Sequence, residues 1–259
     1  MILRLNKFLA QQGIASRRVA DRLILEKRIQ VNGCLIEDLG VKIDGAVDRV
    51  TVDGKPVKTS RELVYLFLNK PPGYLVTKDD PADRPTVMSL LPKLRESVFP
   101  VGRLDLDSEG LLLLTNDGEL SYRLMHPRYE VKKIYAVGVD GEVTDVEASR
   151  LERGIRLDGR KTAPARIRIY ERNSKHSVLL VEIHEGRKRE VRRMMECVGH
   201  RVRSLKRVEF AGIKLARLNR GEWRFLKGDE IDSLRKLVGL EKAPQGDKPG
   251  ERRLAKKRG

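Results

Sequence analysis

The chain strings short apolar runs between turn residues, and few segments carry the 3.6-residue spacing of a helix. Leu3, Leu5, Phe8 and Leu9 describe one short amphipathic helix, which Gly13 ends. Ser16 is a good N-cap for a second, with Val19, Leu23 and Ile24 on its apolar side. Short β segments follow at 29–31 and 34–36 around Asn32-Gly33, then at 50–52 and 55–57 around Asp53-Gly54. Asn-Gly and Asp-Gly between β-prone residues predict tight hairpins.

Past a short linker at 58–61 the pattern changes. Residues 64–68 and the run Leu111-Leu112-Leu113-Leu114 read as strands buried on both faces, whereas 134–139 and 178–183 alternate. Asn69 to Tyr74, with Pro71, Pro72 and Gly73, reads as a rigid turn. Residues 119–125 and 191–198 read as helices, the first ended by His126-Pro127 and the second followed by Gly199. Many strands with few interleaved helices predict an α+β fold, a mainly antiparallel sheet with helices packed on it. The expected organisation is a small unit at 1–58, a larger one at 62–238 and a disordered basic tail at 241–259, which has almost nothing to bury. The tail's Arg252-Arg253 and Lys256-Lys257-Arg258 would suit RNA phosphate or serve solubility about equally well.

Among 259 residues, 54 Lys and Arg against 37 Asp and Glu give a formal net charge of +17. The natural partner is a polyanion, with nucleic acid first. No basic amphipathic segment carries the aromatic anchors of a membrane binder. No apolar run approaches spanning length, and MILRLNKFL is too short and charged for a signal peptide. A cytoplasmic protein is expected. Cys34 and Cys197 lie far apart and suggest a reducing compartment. Cys197 and His200 have metal-like spacing but no second pair, so no metal site is assigned, and a buried thiol beside a surface His is expected instead.

Two stretches carry candidate chemistry. In VGRLDLDSEGLLLLTNDG (101–118), Arg103, Asp105, Asp107 and Glu109 precede the four buried leucines. That places a carboxylate at the edge of a low-dielectric core, although a solvated turn entering a core strand fits the same charges. In 185–195, a Gly is followed by Arg187, Lys188, Arg189, Arg192 and Arg193 at a strand-to-helix junction. Cations are unfavourable at a helix N-terminus, so either RNA phosphate or an internal acid such as Asp105 must answer them. A second basic run, Arg201 to Arg207, follows with strand-like alternation.

These residues carry a resemblance. The stretches Arg4 to Leu9, Gly13 to Arg18 and Ile29 to Gly33 resemble the alpha-L RNA-binding domain, of the kind found in ribosomal small-subunit protein four. VGRLDLDSEGLLLLTNDGEL, Lys-Ile-Tyr-Ala-Val, Glu-Gly-Arg-Lys-Arg-Glu-Val-Arg-Arg-Met and Val-Arg-Ser-Leu-Lys-Arg look like successive motifs of the bacterial ribosomal pseudouridine synthases, within them the RsuA/RluB branch. The resemblance implies an isomerase that breaks the C1′–N1 bond of a uridine, turns the uracil and rejoins it through C5, without a cofactor. It makes Asp105 the essential aspartate, Tyr135 the strand tyrosine that stacks on uracil, and Arg192 the arginine that pairs with the aspartate. Leu205 then packs near the target base, and Arg103 stabilises RNA whose target nucleotide has been turned out. Lys70, in the early Lys-Pro motif, either binds substrate or serves structure, and Arg187 and Arg207 are further candidates for the substrate. For the small unit, Arg4, Lys7, Arg17, Arg18, Lys27, Arg28 and Asn32 are the candidate RNA contacts. The implied partner is ribosomal RNA, 23S or an assembly intermediate, bound by a monomer. A 16S target, and a non-catalytic rRNA-binding assembly factor, are the alternatives.

Overall fold

Apolar side chains gather in three clusters, one within the first 58 residues and two on opposite faces of a large sheet. The structure, a computed structural model, describes residues 2–58, 62–94 and 96–241. Apart from Glu241, the tail expected at 241–259 lies outside the described residues, as do linker positions 59–61.

The first cluster is enclosed by β1 (Ile2–Arg4), α1 (Leu5–Gln11), α2 (Arg17–Leu25), β2 (Ile29–Val31), β3 (Cys34–Leu35), β4 (Lys42–Asp44), β5 (Val50–Val52) and β6 (Lys55–Pro56). Strands run in the order β3-β2-β5-β6, and β1 pairs with β4. Ser16 caps α2 by accepting the Val19 N–H at 3.3 Å. The buried stripe is Ala20, Leu23 and Ile24, however, and Val19 is exposed. With the helix starting at Arg17, Val19 falls one residue off the i, i+3, i+4 stripe. Both hairpin turns form as expected, their Asn-Gly and Asp-Gly residues at positive φ.

The larger unit contains β7 (Tyr65–Lys70), β8 (Phe99–Pro100), β9 (Glu109–Thr115), α3 (Gly118–Met125), β10 (Lys133–Asp140), α4 (Asp145–Glu152), β11 (Arg156–Leu157), β12 (Arg160–Lys161), β13 (Arg166–Arg172), β14 (His176–Ile183), α5 (Glu190–Glu196), β15 (Val202–Phe210), β16 (Ile213–Lys214), β17 (Trp223–Phe225) and α6 (Gly228–Leu237). The sheet order is β13-β14-β10-β15-β9-β7-β17, with β16 on β15 and β8 on β9. Among these strands β9 and β15 run parallel, while the other pairings are antiparallel. β7 and β9 are covered on both faces, which explains their unbroken apolar sequence: Leu112 and Leu114 join one cluster, Leu111 and Leu113 the other. β10 and β14 are buried on one face and alternate. Lys70 ends β7 rather than belonging to the turn, which starts at Pro71. Among the described residues, no helix is long and apolar enough to cross a membrane.

The parallel junction is short: Lys206 pairs with Glu109 and Arg207 with Gly110. At Gly110, φ is +109°, and a Cβ there would lie 2.3 Å from the Arg207 carbonyl oxygen and 2.6 Å from its nitrogen. Only glycine lets the two backbones meet this closely. Gly110→Ala is therefore expected to lower unfolding stability by on the order of 2–6 kcal/mol, backbone strain adding to overpacking. Gly118→Ala, which meets nothing within 4 Å, serves as a control and should be neutral or stabilising. Urea unfolding midpoints of the two variants check both expectations.

Candidate active site

At this junction a cavity of about 1080 Å³ opens, lined by Arg103, Asp105, Tyr135, Leu205 and Arg207 among others. They come from three separate parts of the sequence, each for a definable reason. Asp105 lies in the loop that delivers the chain into β9. Tyr135 sits on β10, opposite Arg207 of β15 and Val181 of β14. Leu205 and Arg207 are two apart on β15 and so share a face. Tyr135 and Leu205 are buried and belong to one apolar cluster, so the cavity lining combines an apolar patch with a carboxylate.

The Asp105 loop is held from behind. Lys70 is fully buried, and its Nζ donates to the carbonyls of Pro71 at 3.0 Å, Leu106 at 3.3 Å and Ser108 at 2.8 Å. Burial pushes its ammonium down to about 8, against the opposing pull of Asp107, Asp105 and Glu109. Of the two roles the sequence allowed Lys70, the structural one has the geometry: it lies behind the loop and does not line the cavity. Asp107 takes the Arg192 guanidinium at 3.1 Å and Arg189 at 3.4 Å, and Glu109 takes Arg220 at 2.6 Å. Asp105 keeps a looser partner, Arg189 at 3.9 Å, and its side chain is 37% exposed.

One sequence-based expectation needs correction here, and two substrate candidates that line the cavity are also tied into the fold. Arg192 does not pair with Asp105 but with Asp107, because the loop turns Asp107 toward the buried face of α5. Arg187 gives its guanidinium to the carbonyls of Arg160 and Lys161 and to Glu185, so it straps the β11–β12 hairpin to the site. Arg207 is buried, donates Nε to the Leu111 carbonyl at 2.6 Å and lies over the Phe210 ring. It holds the junction together. Four of the cations around the start of α5, Arg187, Arg189, Arg192 and Arg193, are answered internally, by Glu185, Asp107 and Asp158. Arg103, in contrast, is exposed, with no hydrogen bond or ion pair among the described residues.

Several site residues escaped sequence reasoning. Lys133, two residues before Tyr135 and on the same face of β10, donates to the carbonyls of Val131, His184 and Glu185. Burial pushes it down to about 8. Its i−2 spacing from Tyr135 was the available signal. Glu190 is buried in the cavity wall, accepts the Arg187 N–H at 3.0 Å, and is pushed up to about 7 by burial and by the neighbouring Glu185. Cys197 and His200 reverse the expected placement: the thiol is exposed, while the imidazole is buried against the Asp140 carbonyl at 2.8 Å.

In the small unit the candidate RNA contacts divide. Arg4, Arg17 and Arg18 are exposed and unpaired among the described residues. Lys27 pairs with Glu37, Arg28 with Asp53 and Glu26, and Asn32 bonds Asp48. Lys7 reaches Glu119 of α3 at 3.3 Å.

Two expectations follow. Lys70→Met keeps the side-chain volume but strands three carbonyls. It should cost about 1–3 kcal/mol of stability and lower activity, as read by chemical unfolding and turnover on the same preparations. Glu190, held above its ordinary 4.5, takes up a proton on folding between pH 4.5 and about 7. The stability it contributes is complete below that window and lost as pH rises through it. Glu190→Gln should therefore gain on the wild type as pH rises, and the difference should vanish toward pH 4.5, in melting temperatures measured across pH 4.5–8.

Comparison with known proteins agrees with this geometry. The RNA pseudouridylate synthase family matches residues 64–197, and the S4 domain matches residues 3–47. An RNA pseudouridine synthase of Aquifex aeolicus (strain VF5) is 46% identical over 246 residues, covering 95% of this chain and 98% of that protein. The ribosomal large subunit pseudouridine synthase B of Bacillus subtilis (strain 168) is 44% identical over 237 residues, covering 91% and 96%. A crystal structure of a pseudouridylate synthase superposes with a TM-score of 0.65 at 30% identity, covering 90% of this chain and 99% of that one. With an S4 domain ahead of the sheet and its cavity, the chain belongs to the RNA pseudouridylate synthase family.

Proposed function

We propose that this enzyme converts a uridine of ribosomal RNA, specifically large-subunit 23S rRNA, into pseudouridine, acting as a monomer in the cytoplasm with Asp105 as its catalytic carboxylate. The observation that carries the reading is the placement of Asp105. Asp105 lines one cavity together with Tyr135 and Leu205, while Asp107 takes the closer ion pairs. The large-subunit assignment rests on the B. subtilis relative, whose name carries that substrate. The +17 charge and the exposed Arg4, Arg17 and Arg18 of the S4 domain fit an RNA partner.

The reaction breaks C1′–N1, forms C1′–C5, protonates N1 and removes the C5 proton, with no net redox change. A carboxylate suits it because it can attack or stabilise a cationic sugar and can move protons. Tyr135 offers a ring to stack on the uracil and a hydroxyl near C5. Arg192 acts through Asp107, by fixing the loop that aims Asp105. Leu205 closes the apolar side of the base pocket. The uridine must leave its stack to reach these groups, and Arg103 is placed to answer the phosphates of that opened strand.

Asp105→Asn should lower pseudouridine formation on 23S transcripts by about 10²–10⁴-fold, measured by tritium release from [5-³H]uridine RNA, and leave RNA affinity within about twofold. Wild-type turnover in the variant would remove Asp105 from the mechanism. Pseudouridine mapping in rRNA of cells lacking the protein decides the subunit: a lost modification in 16S rather than 23S rRNA would overturn the large-subunit assignment.

A further inference from the structure

Beside the cavity-lining Met125 and Pro127 stands an aromatic cluster that the proposed chemistry does not use. Tyr122, on the outer face of α3, is 51% exposed. Its ring lies 5.3 Å from that of His126, which in turn meets Tyr129 edge-on at 6.3 Å. Arg128 stands over the Tyr129 ring at 4.6 Å and bonds its hydroxyl. A single exposed ring would need no explanation. Three rings and a cation in contact, next to residues that line the cavity, do.

We propose that this cluster is a stacking subsite for an unpaired nucleobase of the substrate RNA, a neighbour of the target uridine. The inference rests on the RNA-modifying function above and adds a binding site to it.

Position argues for RNA as the occupant. α3 runs from the small unit to the cavity: Glu119 at its start takes Lys7 of α1, and Met125 at its end lines the cavity. Glu119, Tyr122 and His126 fall on one stripe at i, i+3 and i+7. RNA held by the S4 domain with a uridine in the cavity would then run along α3, where Tyr122 is exposed. The platform is rigid, since Arg123 on α3 donates to the carbonyls of Val238 and Gly239 past the end of α6. It is also tied to the catalytic loop, because the Gly102 N–H donates to Met125 Sδ at 3.0 Å. The adjoining Arg103 has no partner among the described residues and can meet the phosphate of a base on the platform. His126 Nδ1 accepts the Arg128 N–H, which leaves its Nε2 without a hydrogen bond among the described residues. Aromatic faces flanked by arginines bind single-stranded bases without regard to sequence.

The full-length protein with Tyr122→Ala or Tyr122→Phe tests this in two ways. On tritiated rRNA transcripts, Tyr122→Ala should raise KM about tenfold or more with kcat within about threefold. Tyr122→Phe should match the wild type, and melting temperatures should be unchanged. Equal KM in Tyr122→Ala and wild type, or equal losses in Ala and Phe, would overturn the platform. Independently, a 5-bromouridine-substituted single-stranded oligoribonucleotide irradiated with the protein should crosslink to the 122–129 segment, mapped by mass spectrometry. Crosslinks confined to other segments would overturn it as well. If the wild type modifies neither rRNA, the proposed substrate fails, and the crosslink still decides the platform.

Discussion

Everything at the site depends on two backbones meeting at one point. β9 and β15 touch through two residue pairs, and Gly110 presses against Arg207 where no side chain could fit. That contact joins a half-sheet containing β7 and β9 to one containing β10, β13 and β14. The Asp105 loop enters β9 from the first half, while Tyr135 and Leu205 belong to the second. Without the contact, the acid and the ring would sit on separate ribbons. Arg207 reinforces it from the other strand by donating to the Leu111 carbonyl, next to Gly110. An arginine that the sequence offers as a substrate candidate thus also closes the sheet.

The charges of the site are divided rather than pooled. Three acids within five residues would repel one another if all were left in the cavity. Asp107 takes Arg192 and Arg189, Glu109 takes Arg220, and Asp105 is left with one distant guanidinium. The first two anchor the loop, and the third is available to a substrate. Lys70 contributes in the same sense. Its ammonium lies beneath the three carboxylates, but its hydrogen bonds go to backbone carbonyls, so it fixes the shape of the loop without neutralising Asp105 directly. Lys133 does the equivalent work beneath Glu185, across the cavity. Two lysines, Lys70 buried and Lys133 half-buried, each holding three carbonyls, give the site a rigid frame on both sides.

Local patterns made much of the fold legible. The Asn-Gly and Asp-Gly turns, the Ser16 cap and the buried run at Leu111 follow from interactions within a few residues, and the strands and helices formed where period and turn chemistry agreed. Asp105, Tyr135 and Leu205 were legible as motifs, and the structure brings them to one cavity. What could not be read were choices among similar partners. Whether Arg192 meets Asp105 or Asp107 is decided by the turn between them. Whether Arg187 meets RNA or the carbonyls of Arg160 and Lys161 depends on a hairpin of two-residue strands with no periodicity of its own. The reversal of Cys197 and His200 has the same origin: the carbonyl that receives the imidazole lies 60 residues away, on β10.

The same distinction bears on how the molecule meets a polyanion. A net charge of +17 suggests an evenly basic surface, yet many of the arginines around the Asp105 loop are bound to carboxylates or carbonyls within the fold. Those pairs shape the cavity and offer little attraction to phosphate. Attraction has to come from cations without internal partners, and among the described residues these include Arg4, Arg17 and Arg18 on the small unit and Arg103 at the cavity mouth. These two sets lie on either side of α3, with Lys7 and Glu119 linking the small unit to its first turn. A structured RNA held at both ends would span the helix between them. Electrostatics would then set where the RNA lands, and the shape of the cavity would select which nucleotide enters.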